Sequence, residues 1–417
     1  MKLMNHKQFI NISIRASTML SRFMLMFIIA KHLPDEDMGM YGLFTSAIVF
    51  SLYAVGLDFY IYSTRELINT NKVVWGQFLK TQSVLVTLLY LTYIPFLIFL
   101  FYFDYLPWKV FLYFIIILIF EHICQELQRI IIAAHKPLAA NLGLFARSGL
   151  WPIFFIPLFY WGVIPRSLDY LFIAWIIGNV ISIIFYFYIL MEMRISGWKN
   201  EIQWTWLMDG IKVSIVFLIG TLALRFSSVI ERFWLQELTT LKIVGVYSFF
   251  VGISGVITSF LDAGVFSFQY PRLIKAENEK NLIQYNKIRR ELYSQVCLWI
   301  GGLAGISLIL FKPTLAFIDK NIYYEYQKLY YFTLGTTIFS SFALLPHYEL
   351  YAKKRDKAIV TINILSIIVF ILTALVTISV SKLYAIPAAA LFTQLFILIA
   401  KYISLKSINK NECIDFD

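Results

Sequence analysis

The chain has 417 residues, of which 59% are hydrophobic and only 15% are charged. A soluble domain carries about 25% charged residues, so this composition excludes an ordinary soluble protein and indicates one embedded in lipid. The net charge of +11 would favour nucleic acid in a soluble chain. In a membrane protein it is first explained by the sorting of Lys and Arg between the two sides, and no nucleic-acid partner is expected.

Apolar runs of transmembrane length follow one another along the whole chain. A spanning helix needs about 20 mainly apolar residues, and by this measure the sequence predicts twelve spans and an all-α polytopic fold. The predicted spans are Phe9–Ala30, Met38–Leu57, Thr81–Phe103, Lys109–Ile132, Ser148–Pro165, Tyr170–Met191, Asp209–Leu235, Ile243–Leu261, Ser294–Phe311, Leu329–Pro346, Ala358–Ser381 and Leu383–Ala400. The longest polar connection, Arg272–Arg290, is too short for a large extracytoplasmic domain.

The distribution of Lys and Arg predicts the orientation. Placing the N-terminus in the cytoplasm puts more than twice as many of these residues in the inside segments as in the outside loops. By the positive-inside rule, we expect a multi-pass protein of the bacterial inner membrane with both termini in the cytoplasm. The first apolar run contains Arg15 and Arg22 and lacks a small-residue cleavage site, so no cleavable signal peptide is expected.

The first and seventh spans share a local pattern. Residues 15–23 and 225–233 each hold two Arg seven residues apart, a Ser at the third position and a Phe after the second Arg. In the spans that follow, Gly39-Met-Tyr41 matches Gly245-Val-Tyr247 in the same order. This indicates a duplication with halves of six helices, residues 1–200 and 209–417, joined by a cytoplasmic interfacial linker, 201–208. An even number of spans gives both halves the same orientation, as in a parallel repeat.

Charged residues inside the spans are the most informative. An Arg at the bilayer centre costs about 2.5–3.5 kcal/mol even on lenient insertion scales. Two polar stripes share one helix face each, namely Asn11, Arg15, Thr18 and Arg22 in the first span and Thr221, Arg225, Ser228 and Arg232 in the seventh. We expect them, joined by Arg147 and Lys212, to line a hydrated cationic cavity that binds phosphate or carboxylate. The alternative is snorkelling or ion pairing that fixes helix packing.

Four acidic residues are candidates for ion coupling or charge pairing, namely Asp58, Glu121, Glu126 and Asp262. Asp58 and Asp262 occupy corresponding places late in the second and eighth spans, where they could pair with arginines or bind a coupling H+ or Na+. The spacing of His122, Glu126 and Arg129 fits either a proton relay or a helix-end ion pair. His347 and Glu349, near the tenth span, carry the same two interpretations.

Signatures of catalysis are missing from the sequence. It has no P-loop, no Gly-rich nucleotide turn, no His/Cys metal spacing and no nucleophile elbow. We therefore expect a secondary transporter without cofactor or metal, rather than an enzyme or an ATP-driven pump. A purely structural scaffold is disfavoured, because it gains little from costly charges inside the bilayer.

The chain resembles the polysaccharide-transporter branch of the multidrug/oligosaccharidyl-lipid/polysaccharide (MOP) exporter superfamily, and within it the Wzx-type O-antigen flippases. The resemblance rests on twelve spans in two halves, the cationic stripes, and Leu33-Pro34 followed by Gly39-x-Tyr41-Gly42. It implies alternating-access movement of a polyprenyl-pyrophosphate-linked oligosaccharide repeat unit from the cytoplasmic to the periplasmic leaflet. The unit would serve O-antigen or capsule, with membrane lipid, a polysaccharide polymerase and a chain-length regulator as partners.

Other functions compete with this interpretation. A drug/cation antiporter of the same superfamily should favour an acidic, aromatic cavity, whereas Arg dominates here. A peptidoglycan lipid-precursor flippase usually carries two more spans. A membrane enzyme acting on lipid-linked sugars would need a sizeable outside loop.

Overall fold

A computed structural model of the protein describes residues 6–414, and within them the side chains of residues 10–408 except 12, 216, 223–225, 227 and 228. All regular structure in residues 6–414 is helical. The chain divides into two compact units, Met1–Leu222 (unit 1) and Ala223–Asp417 (unit 2), so that the division falls within one long helix.

Unit 1 contains the first seven of the segments that are long and apolar enough to cross a membrane. Its helices are α1 (His6–His32), α2 (Asp35–Gly56), α3 (Tyr60–Asn69), α4 (Lys72–Tyr102), α5 (Phe111–Ala133), α6 (Pro137–Phe145), α7 (Trp151–Tyr160), α8 (Leu168–Glu192) and the first part of α9 (Trp204–Leu238). A π-helical turn, Ala146–Leu150, joins α6 to α7. In this unit α1 packs against α6 and α7, and α5 packs against α8.

Unit 2 has a core of three helices that pack closely on one another. Its elements are the rest of α9, α10 (Leu241–Leu261), α11 (Ser267–Asn278), α12 (Leu282–Ile318), α13 (Asn321–Glu325), α14 (Lys328–Ala352), α15 (Asp356–Ile378) and α16 (Lys382–Ile414). A π-helical turn, Asp262–Phe266, joins α10 to α11. Both α15 and α14 pack along α16, and α10 packs against α14.

The prediction of twelve spans is confirmed, since twelve segments of the described chain are long and apolar enough to cross a membrane. Their burial differs in a way that only lipid explains. The most apolar part of α2 is 61% buried, but that of α4 is only 17% and that of α8 only 22% buried. Soluble proteins rarely expose apolar patches of this extent, so the protein is a multi-pass α-helical membrane protein with lipid against these faces.

The fifth span differs from its prediction of Ser148–Pro165, because it runs over Pro137–Tyr160. Pro137 occupies the first turn of α6, where a proline costs little because the N–H it lacks would be unpaired. The uncharged run in the sequence begins only at Ser148, because Arg147 interrupts the apolar segment before it. In the structure Arg147 lies in the π-helical turn and is paired inside unit 1.

The predicted polar connection Arg272–Arg290 is mostly helical, because α11 continues to Asn278 and α12 begins at Leu282. A Lys275–Glu279 ion pair of 3.7 Å spans the last turn of α11. The Asn281 side chain caps α12 by accepting a hydrogen bond from the backbone N–H of Gln284 at 3.0 Å. The polar composition of this segment thus reflects helix ends that extend past their apolar parts.

The connection between α8 and α9, residues 193–203, lies against the start of α4. The backbone N–H of Gly76 donates to the Ser196 carbonyl at 2.8 Å, and the Gln77 amide donates to the Glu201 carbonyl at 2.7 Å. The segment is therefore docked along its length.

The start of α9 packs on the same region of unit 1. The Trp206 ring lies 5.3 Å from that of Phe59 and 4.8 Å from that of Phe78, measured between centroids. The predicted linker 201–208 is thus helical from Trp204 onward, and Trp206 packs the start of α9 against α3 and α4 of unit 1.

Gly76 offers a test of this docking. A Cβ at Gly76 would lie 2.5 Å from the Ser196 carbonyl oxygen and 2.8 Å from the Trp198 nitrogen, so we expect Gly76→Ala to destabilise the protein by about 1–3 kcal/mol. Gly301→Ala is the matched control, because nothing lies within 4 Å of the added atom and Ala favours a helix. The measurement is the fraction of detergent-solubilised protein that stays monodisperse after heating. Equal heat resistance of the two variants would contradict the docking.

Candidate functional site

Arg15 is held by a chain of hydrogen bonds between the first and fifth spans. Its Nε donates to Asn141 Oδ1 at 3.1 Å, and Asn141 Nδ2 donates to Asn11 Oδ1 at 3.0 Å. Asn141 is buried, whereas Arg15 is exposed. The bond engages only Nε, so α6 orients the guanidinium while its outer edge lies at the protein surface.

Arg22 is exposed in the middle of the first span, which runs over Ser13–His32. At 1.5 Å per residue this position lies about 12 Å from the nearer end of the predicted span Phe9–Ala30. The half-buried Tyr41 of α2 lies close enough to interact electrostatically with the guanidinium. Thr18, between the two arginines, is buried and donates to the Ile14 carbonyl at 2.9 Å. The first-span stripe therefore consists of two exposed arginines beside a buried threonine.

Helix α9, which contains the predicted seventh span, places charged residues against α10 in unit 2. Arg232 Nε donates to Ser248 Oγ at 3.2 Å, and Glu231 accepts a hydrogen bond from Tyr247 at 2.9 Å. The side chain of Arg225, the other predicted arginine of this helix, lies outside the described residues, as does that of Ser228.

The two units repeat this arrangement. In unit 1 Arg22 of the first helix acts on Tyr41 of the second, and in unit 2 Arg232 of the first helix acts on Tyr247 of the second. These are the residue pairs that the sequence comparison aligned. In both units, therefore, an arginine of one helix interacts with a tyrosine of the next transmembrane helix, and the duplication stays a prediction.

Asp58 and Asp262 both lie where a helix loses its regular geometry. In unit 1 Leu57 and Asp58 have φ values of 51° and 50°, which separate α2 from α3. In unit 2 Asp262 begins the π-helical turn between α10 and α11. Such irregular turns occur frequently at functional sites, and both aspartates have interaction partners in the structure.

Glu121 and Arg147 form a buried ion pair inside unit 1. Arg147 Nη1 lies 3.5 Å from Glu121 Oε2, and the two side chains are 11% and 9% exposed. Trp175 of α8 donates to the second oxygen of Glu121 at 2.7 Å. The charges of Glu121 on α5 and Arg147 in the π-helical turn thus compensate each other, and Trp175 of α8 adds a hydrogen bond to the carboxylate.

Glu126 is the centre of a second polar cluster, five residues after Glu121 on α5. It accepts a hydrogen bond from the Gln82 amide of α4 at 2.7 Å, pairs with Arg129, and lies 3.8 Å from His122 Nε2. The i, i+4, i+7 residues of the sequence therefore do contact one another, and α4 adds a partner that their spacing could not indicate.

A cavity of about 150 Å³ adjoins this cluster. Its lining residues are Val49, Leu52, Tyr53, Gly56, Asp58, Tyr60, Gln125 and Arg129. The Arg129 Cζ lies 3.6 Å from the centroid of the Tyr60 ring. Burial raises the pKa of the Tyr60 hydroxyl, so the ring stays neutral and attracts the cation with its face. The volume suits waters or a small ion, but it is below the roughly 300–1,000 Å³ of ligand pockets.

Lys212 is exposed and pairs with Asp209, one turn earlier on α9, at 3.2 Å. This pair and the Glu121–Arg147 pair show that two of the six predicted cationic residues have carboxylate partners within unit 1.

The sequence named Glu349 but not its partners, and it missed the burial of Lys401. Glu349, which is fully buried, forms an ion pair with Arg289 Nε at 3.0 Å and accepts hydrogen bonds from Tyr293 at 2.6 Å and Tyr285 at 3.2 Å. This contact favours the ion-pair interpretation of Glu349. Lys401 is also buried, although it follows directly after an apolar run. Neither environment could be read from the sequence, because the side chains that surround these residues come from helices far apart in the chain.

The comparisons with known proteins were made at the level of sequence and of structure. No family model and no curated protein sequence matches the chain. Among solved structures, the inward-facing conformation of a multidrug resistance MATE family transporter of the MOP superfamily gives a TM-score of 0.77 at 11% identity, covering 96% of this chain and 99% of its own. The chain has the fold of MATE transporters.

Other structures with the MATE fold agree. The outward-facing conformation of a multidrug resistance MATE family transporter gives a TM-score of 0.57 at 12% identity, over 98% of this chain and 100% of its own. MATE in the bent conformation gives 0.54 at 12% identity, over 98% and 95%. At such low identity the likeness establishes the fold, and the function depends on the side chains that this chain places on it.

The buried Glu121–Arg147 pair generates a stability prediction. We expect Glu121→Gln or Arg147→Met alone to destabilise the protein by about 3–5 kcal/mol, because each leaves an uncompensated buried partner, and the double variant to recover most of this loss. The exposed pair Asp209–Lys212 is the control, where Lys212→Met should cost at most about 1 kcal/mol. The measurement compares the heat resistance of the purified wild type, the two single variants and the double variant. If the losses of the two single variants simply add in the double variant, Glu121 and Arg147 do not stabilise each other.

Proposed function

We propose that the chain is a flippase for a polyprenyl-pyrophosphate-linked oligosaccharide repeat unit of O-antigen or capsule. The observation that carries the proposal is the exposed guanidinium of Arg22 at the midpoint of a membrane span. A charge at this depth is costly unless water or an anionic ligand surrounds it. Together with Arg15 it offers cationic donors at two depths of the first helix.

The chemistry of the cargo fits these donors. A pyrophosphate with attached sugars cannot cross about 30 Å of hydrocarbon unaided, whereas guanidinium groups bind phosphate oxygens in bidentate fashion. The Asn141 bond fixes the orientation of Arg15 in advance, which lowers the ordering cost of binding. The prenyl chain is stable in lipid and needs no site of its own.

The predicted residues take different roles within the proposal. We assign cargo binding to Arg15, Arg22, Arg225 and Arg232. Arg147 and Lys212 are neutralised by their carboxylate partners, so we assign them to helix packing and surface pairing.

Ion coupling and cellular setting complete the proposal. Asp58, which lines the cavity of unit 1, and Glu126, which pairs with the lining residue Arg129, are the proposed position for a coupling H+ or Na+. Asp262 is the candidate at the helix irregularity of unit 2. We place the protein in the bacterial inner membrane with both termini in the cytoplasm, supplying a polysaccharide polymerase and its chain-length regulator.

A second candidate function is multidrug export, which the fold comparisons favour equally, since the similar structures are multidrug resistance transporters. The sign of the exposed charge in the first span distinguishes the two. Exposed guanidinium groups attract anionic cargo and repel the cationic compounds that a drug/cation antiporter carries.

Arg22→Ala tests the flippase proposal in a polysaccharide-producing host that lacks its own copy of this protein. A hydrogen bond to a charged group contributes about 1.5–3 kcal/mol, so we expect surface polysaccharide to fall tenfold or more, with unchanged protein level. Arg22→Lys should keep part of the activity because it keeps the charge. Surface polysaccharide is measured by gel electrophoresis and antiserum.

Lys382→Ala is the matched control, because Lys382 is exposed at the first position of α16 and should tolerate the change. Resistance to cationic dyes is measured in the same strains. Normal polysaccharide in Arg22→Ala cells would overturn the proposal, and dye resistance that depends on this chain would favour drug export.

A further inference from the structure

Lys401 is a buried cation inside the twelfth span. It is 4% exposed, although α16 continues beyond it. Its Nζ lies 3.4 Å from Nδ1 of His347 on α14.

The pair forms a single polar layer between two apolar layers of unit 2. On one side Ala343, Ile362 and Ile397 pack together, and on the other side Leu350, Ile359 and Leu405 do so. Ile397 and Leu405 lie one turn before and one turn after Lys401 on the same face of α16. Helices α14, α15 and α16 each contribute to both layers, so apolar side chains enclose the two nitrogens along the helix axes.

The charged groups of the neighbouring elements interact elsewhere. They are Glu349 with Arg289, Arg272 with Glu291, Asp262 beside Tyr348, Asp356 beside Tyr270, and the exposed Lys406. Among the described residues, Lys401 is the only charged group that acts on His347, and no carboxylate acts on Lys401. Within the described part of the chain, no carboxylate therefore compensates a charge on the buried Lys401.

An ammonium ion buried without a counter-charge is highly unfavourable, and in proteins such a group tends to lose its proton instead. The neighbouring imidazole can accept a hydrogen bond from the ammonium form of Lys401, but two positive charges 3.4 Å apart would repel strongly. The pair therefore holds at most one proton at a time, and its protonation depends on how well water reaches it.

We propose that Lys401 and His347 form a proton-binding site of unit 2, which takes one proton from water and returns it to water during each transport cycle. In the loaded state the Lys401 ammonium donates to Nδ1 of neutral His347. In the empty state both groups are neutral, and the pair carries no charge. This inference rests on the proposed transport function for its place in a cycle, but the binding of the proton is testable without any cargo.

Charge displacement after a pH jump is the direct measurement. Proteoliposomes containing the purified full chain are adsorbed on a solid-supported membrane, and the transient current is recorded with no substrate present. A proton that enters a site inside the membrane moves charge through part of the dielectric. We expect the wild-type chain to give a saturable, pH-dependent displacement, and Lys401→Met to lose it.

The matched control is Lys406→Met, which removes an exposed lysine from the next turn of α16 and should leave the displacement unchanged. Lys401→Arg separates proton binding from a structural need for positive charge, because a guanidinium stays protonated. We expect Lys401→Arg to lose the displacement as well, and His347→Asn, which keeps a hydrogen-bonding group, to shift its pH midpoint.

The outcomes distinguish this inference from the proposed function. A displacement in Lys401→Met or Lys401→Arg equal to that of Lys406→Met would overturn the proton site, whatever the cargo is. Monodisperse elution of each variant on gel filtration shows that a lost current is not a folding defect. The charge displacement could depend on Lys401 while cells that lack this protein still make normal surface polysaccharide. That result would keep the proton site and reject the polysaccharide cargo.

Discussion

The cost of a charge in hydrocarbon is the constraint on which this structure depends. Twelve apolar spans leave few places for charged groups, and each such group must be hydrated, paired or neutral. The Glu121–Arg147 and Glu349–Arg289 pairs are neutralised inside their own units. Arg22 is exposed inside the first span, and the buried Lys401 lies beside His347. The last two are therefore the residues whose environment calls for a function.

Irregular helix geometry places several of these groups. Arg147 lies in a π-helical turn, Asp262 begins another, and Asp58 follows a left-handed residue where α2 ends. A regular helix hydrogen-bonds its backbone internally and repeats its side-chain directions every 3.6 residues, so a local departure gives a side chain a direction that the regular repeat does not. Asp58 and Asp262 thus lie at irregular turns that end α2 and α10.

The fold and the charges answer different questions about this protein. An alignment at 11% identity that covers nearly the whole chain shows that very different sequences adopt the MATE fold, since lipid-facing helices require little more than apolar side chains. A few polar positions inside the spans carry the chemistry that distinguishes this chain. The exposed arginine of α1 presents a guanidinium, and the buried lysine of α16 lies beside an imidazole.

The sequence by itself determined the twelve spans, the all-α class and the paired arginines, because hydropathy and helical spacing are local properties of the chain. It placed the start of the fifth span too late and read Arg272–Arg290 as a connection, since composition does not reveal where a partner removes the cost of a charge. Only the tertiary structure decided that Arg15 bonds to Asn141, that Arg147 lies on Glu121 and that Lys401 is enclosed. These contacts join helices distant in sequence, and burial depends on what packs across a helix rather than on its own residues.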